Sequence, residues 1–201
     1  RGLYRLLSEP DPSLPRIPWH GVHLFWGDER HVPPDHPESN YRMVRETLLD
    51  EIDIPAGHVH RIPAERADAG AAADEYEDEL RGFFGLRTGV LPRFDLVLLG
   101  LGRDGHTASL FPGSEALRES RRAVVATRAE GPLPRRISLT MPAINNAARV
   151  VFLVSGADKA EALRRVVRGR ATIDSPPARW VRPAGGALWI VDRAAARLLA
   201  G

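Results

Sequence analysis

The chain has 201 residues, 43% of them hydrophobic and 27% charged, with a formal net charge of +2, which is typical of a single globular domain. No apolar run approaches the length of a membrane span, and no dense basic run of the kind that binds nucleic acid is present. The absence of cysteine excludes disulfides and thiolate chemistry. Together with the lack of a secretory signal at its start, it leads us to expect a cytoplasmic protein.

Helix and strand patterns alternate through the first half of the chain. Apolar spacing predicts a helix over 1–8, and a short apolar run predicts a strand over 22–26. Ser39 has the character of an N-cap for an amphipathic helix over 40–49. A possible short strand at 59–62 precedes an alanine- and glutamate-rich helix over 67–80.

The same alternation continues to the end of the chain. The predicted strands are 96–99, 124–127, 137–140, 150–154 and 188–191, and the predicted helices are 142–147, 158–167 and 193–199. This order favours a three-layer α/β/α sandwich with a mostly parallel sheet, built as one domain over residues 1–201.

The stretch FDLVLLGLGRDGHTASLFPGS, residues 94–114, carries the clearest functional signal. Its unbroken apolar run ends in a glycine-rich loop that contains Asp104 and His106. Ligands bind outside the carboxyl ends of strands in open α/β sheets. An imidazole can take a proton from water near neutral pH, and a neighbouring carboxylate can hold its tautomer. We therefore predict that this loop is catalytic.

The loop also matches the dinucleotide fingerprint G-x-G-x-x-G between Gly100 and Gly105. A true fingerprint opens a long helix whose N-terminus faces a pyrophosphate. Here Pro112 and Gly113 stop any such helix after about two turns. We therefore predict neither a nicotinamide nor a flavin cofactor at this loop.

The predicted strand 22–26 ends like the strand 96–99, in a glycine followed by charged residues, here Asp28, Glu29 and Arg30. The shared ending predicts that the two strands are parallel neighbours whose carboxyl ends point at one site. A solvated turn remains an alternative explanation for the charged run.

Several histidines occur in pairs, which raises the question of a metal site. The pairs are His20 with His23, His31 with His36, and His58 with His60. Their surroundings are rich in proline or resemble a surface, and no carboxylate partner is clearly placed. We therefore predict no metal site.

Four ordered motifs give the chain a resemblance to a known family. They are FWGDERHVPPDHPESNYRMVRETLL (25–49), LLGLGRDGHTASLFPGS (98–114), RRISLTMPAINNA (135–147) and VVFLVSGADKAEAL (150–163). Together they resemble the 6-phosphogluconolactonase family. The resemblance implies a Rossmann-like sandwich shared with glucosamine-6-phosphate deaminase. It also implies hydrolysis of a sugar-phosphate lactone without metal or cofactor, in a monomer or weak dimer that binds neither nucleic acid nor membrane.

The resemblance also implies roles for individual residues. His106 would be the general base that activates water, with Asp104 beside it. Asp28 and Arg30 would line the sugar pocket, to which Gly105 also belongs, and Arg136 and Lys159 would hold the phosphate. Lys159 is the only lysine of the chain, which uses arginine elsewhere.

The chain departs from the family pattern at its start. The family begins with a strand and a Ser-Gly-Gly loop that cradles phosphate, whereas RGLYRLL resembles the helix that follows this loop. We therefore expect the N-terminal strand to be missing from the sheet, so that the domain is truncated there.

Two other functions remain open from the sequence. A glucosamine-6-phosphate deaminase/isomerase shares the Asp-Gly-His loop but carries a glutamate five residues after the histidine, where this chain has Phe111. A non-catalytic sugar-phosphate-binding module is the second alternative, although it would need neither Asp104 nor His106.

Overall fold

The computed structural model describes residues 2–9, 11, 13–169, 172 and 175–199. Five α-helices and eight β-strands alternate within this part of the chain. The helices are α1 (Gly2–Ser8), α2 (Asn40–Thr47), α3 (Ala69–Phe84), α4 (Met141–Asn145) and α5 (Ala160–Arg168). The strands are β1 (Leu24–Phe25), β2 (Asp28–Arg30), β3 (Val59–His60), β4 (Val97–Leu99), β5 (Val124–Arg128), β6 (Arg135–Leu139), β7 (Val150–Val154) and β8 (Ala187–Val191).

The apolar strands form parallel pairs, which confirms the predicted mixed α/β class. Strand β7 lies between β4 and β8 and is parallel to both, and β1 is parallel to β3. Alternate residues of β7, among them Phe152, are fully buried in the core. On the opposite face of this sheet Leu98, Leu188 and Ile190 are exposed.

The predicted strands 22–26 and 96–99, each followed by a glycine and charged residues, were expected to be parallel neighbours. This prediction is wrong. Strand β1 pairs with β3, and β4 pairs with β7, so β1 and β4 are not hydrogen-bonded neighbours. Instead, residues of both strands line one cavity. The backbone of Trp26, just after β1, is bound by the hydroxyl of Tyr76 rather than by a strand. That a strand is missing from the sheet, and that the domain is truncated, stays a prediction.

The charged run after β1 is itself a strand, which the sequence did not indicate. Strand β2 pairs antiparallel with β6, and β6 pairs antiparallel with β5. Successive side chains of a strand point to opposite faces. Asp28 and Arg30 therefore share one face of this sheet, and Glu29 lies on the other, where it is buried.

Caps fix the helices close to their predicted bounds. Ser39 accepts a hydrogen bond from the backbone N–H of Arg42, as predicted, and Asp68 and Thr140 cap α3 and α4 in the same way. The predicted terminal helix 193–199 is wrong in type, since only a 3₁₀ turn forms at Ala195–Leu198. Arg1 of the first predicted helix lies outside the described residues.

One hydrophobic core joins the helices to the sheets. Tyr76 and Leu80 of α3 and Leu163 of α5 are buried in the same cluster as Val150 and Phe152 of β7. Within the described ranges, no helix is long and apolar enough to cross a lipid bilayer.

Candidate active site

The loop after β4 folds back on itself at the carboxyl end of the strand. The backbone N–H of Gly102 donates to the carbonyl of His106 at 2.8 Å, and the hydroxyl of Thr107 donates to the carbonyl of Gly100 at 2.9 Å. These bonds satisfy the backbone of the loop locally. They leave the side chains of Asp104 and His106 at the rim of the sheet, as the sequence predicted.

Asp104 and His106 form a hydrogen-bonded pair. The Oδ1 atom of Asp104 accepts from His106 Nδ1 at 2.6 Å and from the His106 backbone N–H at 3.0 Å. A carboxylate acceptor places the imidazole proton on Nδ1 and leaves the lone pair of Nε2 free. The side chain of His106 is 33% exposed, so this free nitrogen can meet solvent and substrate.

Gly102 makes room for this pair. A Cβ atom at Gly102 would lie 2.2 Å from Nδ1 of His106 and 2.7 Å from Oδ1 of Asp104. Both distances are far below ordinary van der Waals contact. Any side chain at this position would therefore displace the two groups that the sequence predicts to be catalytic.

Gly105 has a different part in the loop. Its φ of +88° is a left-handed conformation, and an added Cβ would lie 2.3 Å from the Cβ of Pro176. Its N–H donates to Gly102 and its carbonyl accepts from Ala178. Gly105 therefore has both backbone groups paired within the protein, and its predicted contact with substrate stays a prediction.

Asp28 reaches the same place from the antiparallel sheet. Its Oδ2 atom accepts from the hydroxyl of Ser109 at 2.7 Å. Burial raises the pKa of Asp28, and the Ser109 hydrogen bond and the charges of Arg30, His106 and Arg136 act in the opposite direction. Asp28 is thus a carboxyl group surrounded by donors and cations inside the site.

Ala108 shapes the turn that presents Ser109 to Asp28. Its φ of +47° lies in the left-handed region, which residues other than glycine rarely adopt. Such conformations cluster at functional sites, where the surroundings hold them in place.

Arg30 and Arg136 are directly opposite one another in the β2–β6 pair. Like charges in opposed positions of a sheet repel each other. Burial and the charge of Arg30 lower the pKa of Arg136, which is the expected sign of this repulsion. The guanidinium of Arg136 donates to the carbonyls of Leu133 and Arg135. An anion bound between the two arginines would relieve the repulsion.

Lys159 adds a third cation beyond the carboxyl end of β7. It ends the 3₁₀ turn Ala157–Lys159, and its Nζ lies 3.5 Å from Asp158 Oδ2. The same carboxylate oxygen accepts from Arg103 Nε at 2.9 Å. Asp158 thus links the lysine to the glycine-rich loop.

These groups line one cavity of about 1670 Å³. Six of the seven predicted site residues lie on its wall: Asp28, Arg30, Asp104, His106, Arg136 and Lys159. Gly105 is not part of the lining.

Sequence reasoning missed three residues that the structure ties to this site. The sequence position of Gly102 could have identified it, because it is the middle glycine of the loop. For Ser109 the only sequence indication was its closeness to His106. Asn40 had none, because at the start of a predicted helix it has the appearance of an ordinary helix residue.

Phe111 occupies the position where the deaminase alternative requires a carboxylate. Its ring centroid is 4.6 Å from that of His106. The neighbour of His106 at this position is therefore apolar, and it can neither donate nor accept a proton.

The histidine pairs do not assemble a metal site among the described residues, where no group of three or more possible ligands has suitable geometry. His23, His58 and His60 do come together, and His60 also contacts Glu79. They lie around β1 and β3 and stack on one another and on Phe25.

Comparisons with known proteins place the fold and the site in context. The family model described as "Glucosamine-6-phosphate isomerases/6-phosphogluconolactonase" matches residues 1–190. A 6-phosphogluconolactonase from Synechocystis sp. (strain PCC 6803) is 46% identical over 179 residues, which is 89% of this chain and 74% of that protein.

Solved structures agree with the family match. A 6-phosphogluconolactonase from Trypanosoma brucei superposes with a TM-score of 0.78 at 35% identity, over 88% of this chain and 73% of that one. A monomeric glucosamine-6-phosphate deaminase has a TM-score of 0.72 at 24% identity, over 90% of this chain and 76% of that one, and this shows a shared fold alone. The Rossmann-like α/β class predicted from the sequence is thereby confirmed. The chain belongs to the glucosamine-6-phosphate isomerase/6-phosphogluconolactonase family.

Proposed function

We propose that the chain hydrolyses 6-phosphoglucono-1,5-lactone to 6-phosphogluconate, the lactonase step of the oxidative pentose phosphate pathway. One observation carries the proposal. The Asp104–His106 pair opens into the same cavity as the cations Arg30, Arg136 and Lys159. A general base facing several cations suits an anionic substrate that must be attacked by water. A relative that carries the name 6-phosphogluconolactonase is 46% identical to the chain.

The chemistry needs one proton carrier. Nε2 of His106 takes a proton from a water molecule, whose oxygen attacks the lactone carbonyl and forms a tetrahedral oxyanion. The oxyanion collapses, the bond between the carbonyl carbon and the ring oxygen breaks, and the imidazolium returns the proton to the departing alkoxide. Asp104 stabilises the imidazolium and holds its orientation. No net oxidation or reduction takes place.

The remaining predicted residues bind and orient the substrate. Arg136 and Lys159 hold the phosphate, since a guanidinium fork and an ammonium point charge are the usual partners of a phosphate dianion. Asp28 and Arg30 bind hydroxyl groups of the sugar from one face of the antiparallel sheet.

The decisive experiment measures lactone disappearance with purified protein, after subtraction of spontaneous hydrolysis. The matched pair of variants is His106→Ala and His20→Ala, because the His20 side chain is 71% exposed and lies 3.8 Å from the exposed carboxylate of Asp53. We expect His106→Ala to lose about 10²- to 10⁴-fold in kcat while it still binds 6-phosphogluconate, and His20→Ala to behave as wild type. Wild-type protein that fails to accelerate hydrolysis would refute the function, and an active His106→Ala would refute the base assignment.

The deaminase/isomerase alternative is tested with the same protein. Moving protons between carbons needs an acid or base where Phe111 stands, so we expect no ammonia release from glucosamine 6-phosphate. Ammonia release would favour that activity instead.

We further propose that the protein acts in the cytoplasm as a monomer or weak dimer. Sedimentation of the purified chain across a range of concentrations measures the assembly, and a stable larger oligomer would contradict this part of the proposal.

A further inference from the structure

Asn40 is the first residue of α2 and lies between the two sugar-binding residues proposed on β2. It is half-buried, and it lines the cavity. It directly follows Ser39, the N-cap of the helix. Its side chain is therefore not needed to cap α2 and is available for another purpose.

Glu29 fixes the backbone of Asn40 against β2. This carboxyl group is 2% exposed and accepts four hydrogen bonds, two on each oxygen. The donors are the backbone N–H groups of Arg30 (2.8 Å), Asn40 (2.7 Å) and Tyr41 (2.8 Å) and the hydroxyl of Ser39 (3.0 Å). Three of these partners are backbone N–H groups, which can only donate. Burial raises the pKa of Glu29, and these four hydrogen bonds oppose that effect. The start of α2 is thus tied to the back of the strand whose front carries Asp28 and Arg30.

The side chain of Asn40 reaches round to that front face. Its Oδ1 atom accepts from the guanidinium of Arg30. Its Nδ2 group donates to the backbone carbonyl of Asp28 at 2.9 Å and faces Oδ1 of the same residue at 3.4 Å. The donor and acceptor neighbours together determine which end of the amide is nitrogen.

We propose that Asn40 is a positioning residue that sets the placement of Asp28 and Arg30 relative to each other. The proposal rests on the proposed function, which assigns these two residues to the sugar. Asn40 acts through them. Because Glu29 holds the backbone of Asn40 against β2, the Asn40 side chain is held in place relative to Asp28 and Arg30.

The chemistry of the position explains why an amide suits it. The long side chain of Arg30 has many rotamers, and the charge of Arg136 opposite repels it. A neutral acceptor can hold the guanidinium without cancelling the charge that the substrate needs. The same side chain must also donate to Asp28, which no carboxylate can do.

Two alanine variants separate positioning from helix stability. Asn40→Ala removes the side-chain contacts to Asp28 and Arg30, whereas Ser39→Ala removes the cap of the same helix and one of the four donors to Glu29 but leaves the Asn40 contacts in place. We expect Asn40→Ala to lose about tenfold or more in kcat/KM, mainly through a higher KM, because small misplacements of binding groups cost up to about 10²-fold. We expect Ser39→Ala to lower Tm at least as much as Asn40→Ala does, and to retain most of its kcat/KM. Activity that merely follows Tm in the two variants would overturn the proposal.

Asn40→Asp gives a sharper test, because a purely structural role and a positioning role of Asn40 predict different values of kcat/KM. An aspartate near a helix N-terminus interacts favourably with the helix dipole, so a purely structural role predicts unchanged or higher Tm and full activity. A positioning role predicts the same Tm with a loss of about tenfold or more in kcat/KM. The loss follows because the new carboxylate repels Asp28 and neutralises Arg30. Full activity of Asn40→Asp would overturn the proposal.

Binding of 6-phosphogluconate by calorimetry keeps this test independent of turnover. If wild-type protein binds the product but does not hydrolyse the lactone, the proposed function fails while the positioning role is still decided by product affinity. Weaker binding in both Asn40 variants, and not in Ser39→Ala, supports the role. Equal affinities in all four proteins refute it.

Discussion

Replacing Gly102 by alanine is expected to disable the candidate site while leaving the fold intact. The added methyl group would lie 2.2 Å from Nδ1 of His106 and 2.7 Å from Oδ1 of Asp104. The backbone of Gly102 is not in the left-handed region, so alanine adds no backbone strain there. The clash therefore falls on the two side chains.

The size of the effect follows from these distances. Ordinary contact begins near 3.4 Å, so the imidazole must move by more than an ångström or rotate away. Either response breaks the 2.6 Å hydrogen bond to Asp104. A displacement of about 1 Å can cost about 10²-fold, and loss of a general base costs about 10²- to 10⁴-fold. With about 1.4 kcal/mol for each factor of ten, the activation free energy should rise by about 3 to 6 kcal/mol.

Gly100→Ala is the matched control, because it adds the same methyl group two residues earlier. A Cβ at Gly100 would meet nothing within 4 Å. Lactone hydrolysis should therefore fall at least about 10²-fold in Gly102→Ala and little in Gly100→Ala, with similar Tm values for both. Similar turnover in the two variants would refute the reasoning that the Asp104–His106 geometry carries the activity.

Two further predictions concern the balance of stability and function. Asp28→Asn should raise Tm at neutral pH but lower kcat/KM. Burial raises the pKa of Asp28 in the folded protein above its value in the unfolded chain. Between these two pKa values the folded state binds more protons than the unfolded state, so the free energy of unfolding falls as pH rises through this range. The gain in Tm should therefore disappear below about pH 4, near the pKa of the unfolded carboxyl group, and a gain independent of pH would contradict this explanation. Tyr76→Phe should lower the free energy of unfolding by about 1–3 kcal/mol in urea titrations, because the buried hydroxyl bonds both the N–H and the carbonyl of Trp26, and an unchanged value would show that these groups find other partners.

The sequence predicts best where local chemistry decides the structure. The run VVFLV becomes β7 at the predicted residues. A short unbroken run of β-branched and aromatic residues is typical of a strand in a parallel sheet. Ser39 caps α2 as predicted, since its hydroxyl reaches a backbone donor three residues ahead. The Asp-Gly-His loop also needs only its own residues to bring Asp104 to His106.

Prediction fails where the partner is distant in the sequence. Asp28–Arg30 has no apolar alternation, and it becomes a strand only because Arg135–Leu139 supplies the other half of the ladder. The bond from Ser109 to Asp28 spans 81 residues and has no local signature. Asn40 illustrates the same limit, because its partners on β2 are known only once α2 has docked against Glu29.

The opposed arginines lower the stability of the ligand-free protein. Arg30 and Arg136 repel each other across the β2–β6 pair, and Asp28 pays a burial cost that the nearby cations only partly offset. In the proposed complex, the phosphate dianion held by Arg136 and Lys159 would offset the charge of Arg136 and so reduce its repulsion of Arg30. Its binding energy therefore contains the relief of a repulsion already present in the fold, in addition to its own hydrogen bonds. The same linkage means that sugar-phosphate binding should raise Tm with ligand concentration, and neutralising Arg136 should reduce that rise while making the free protein less strained.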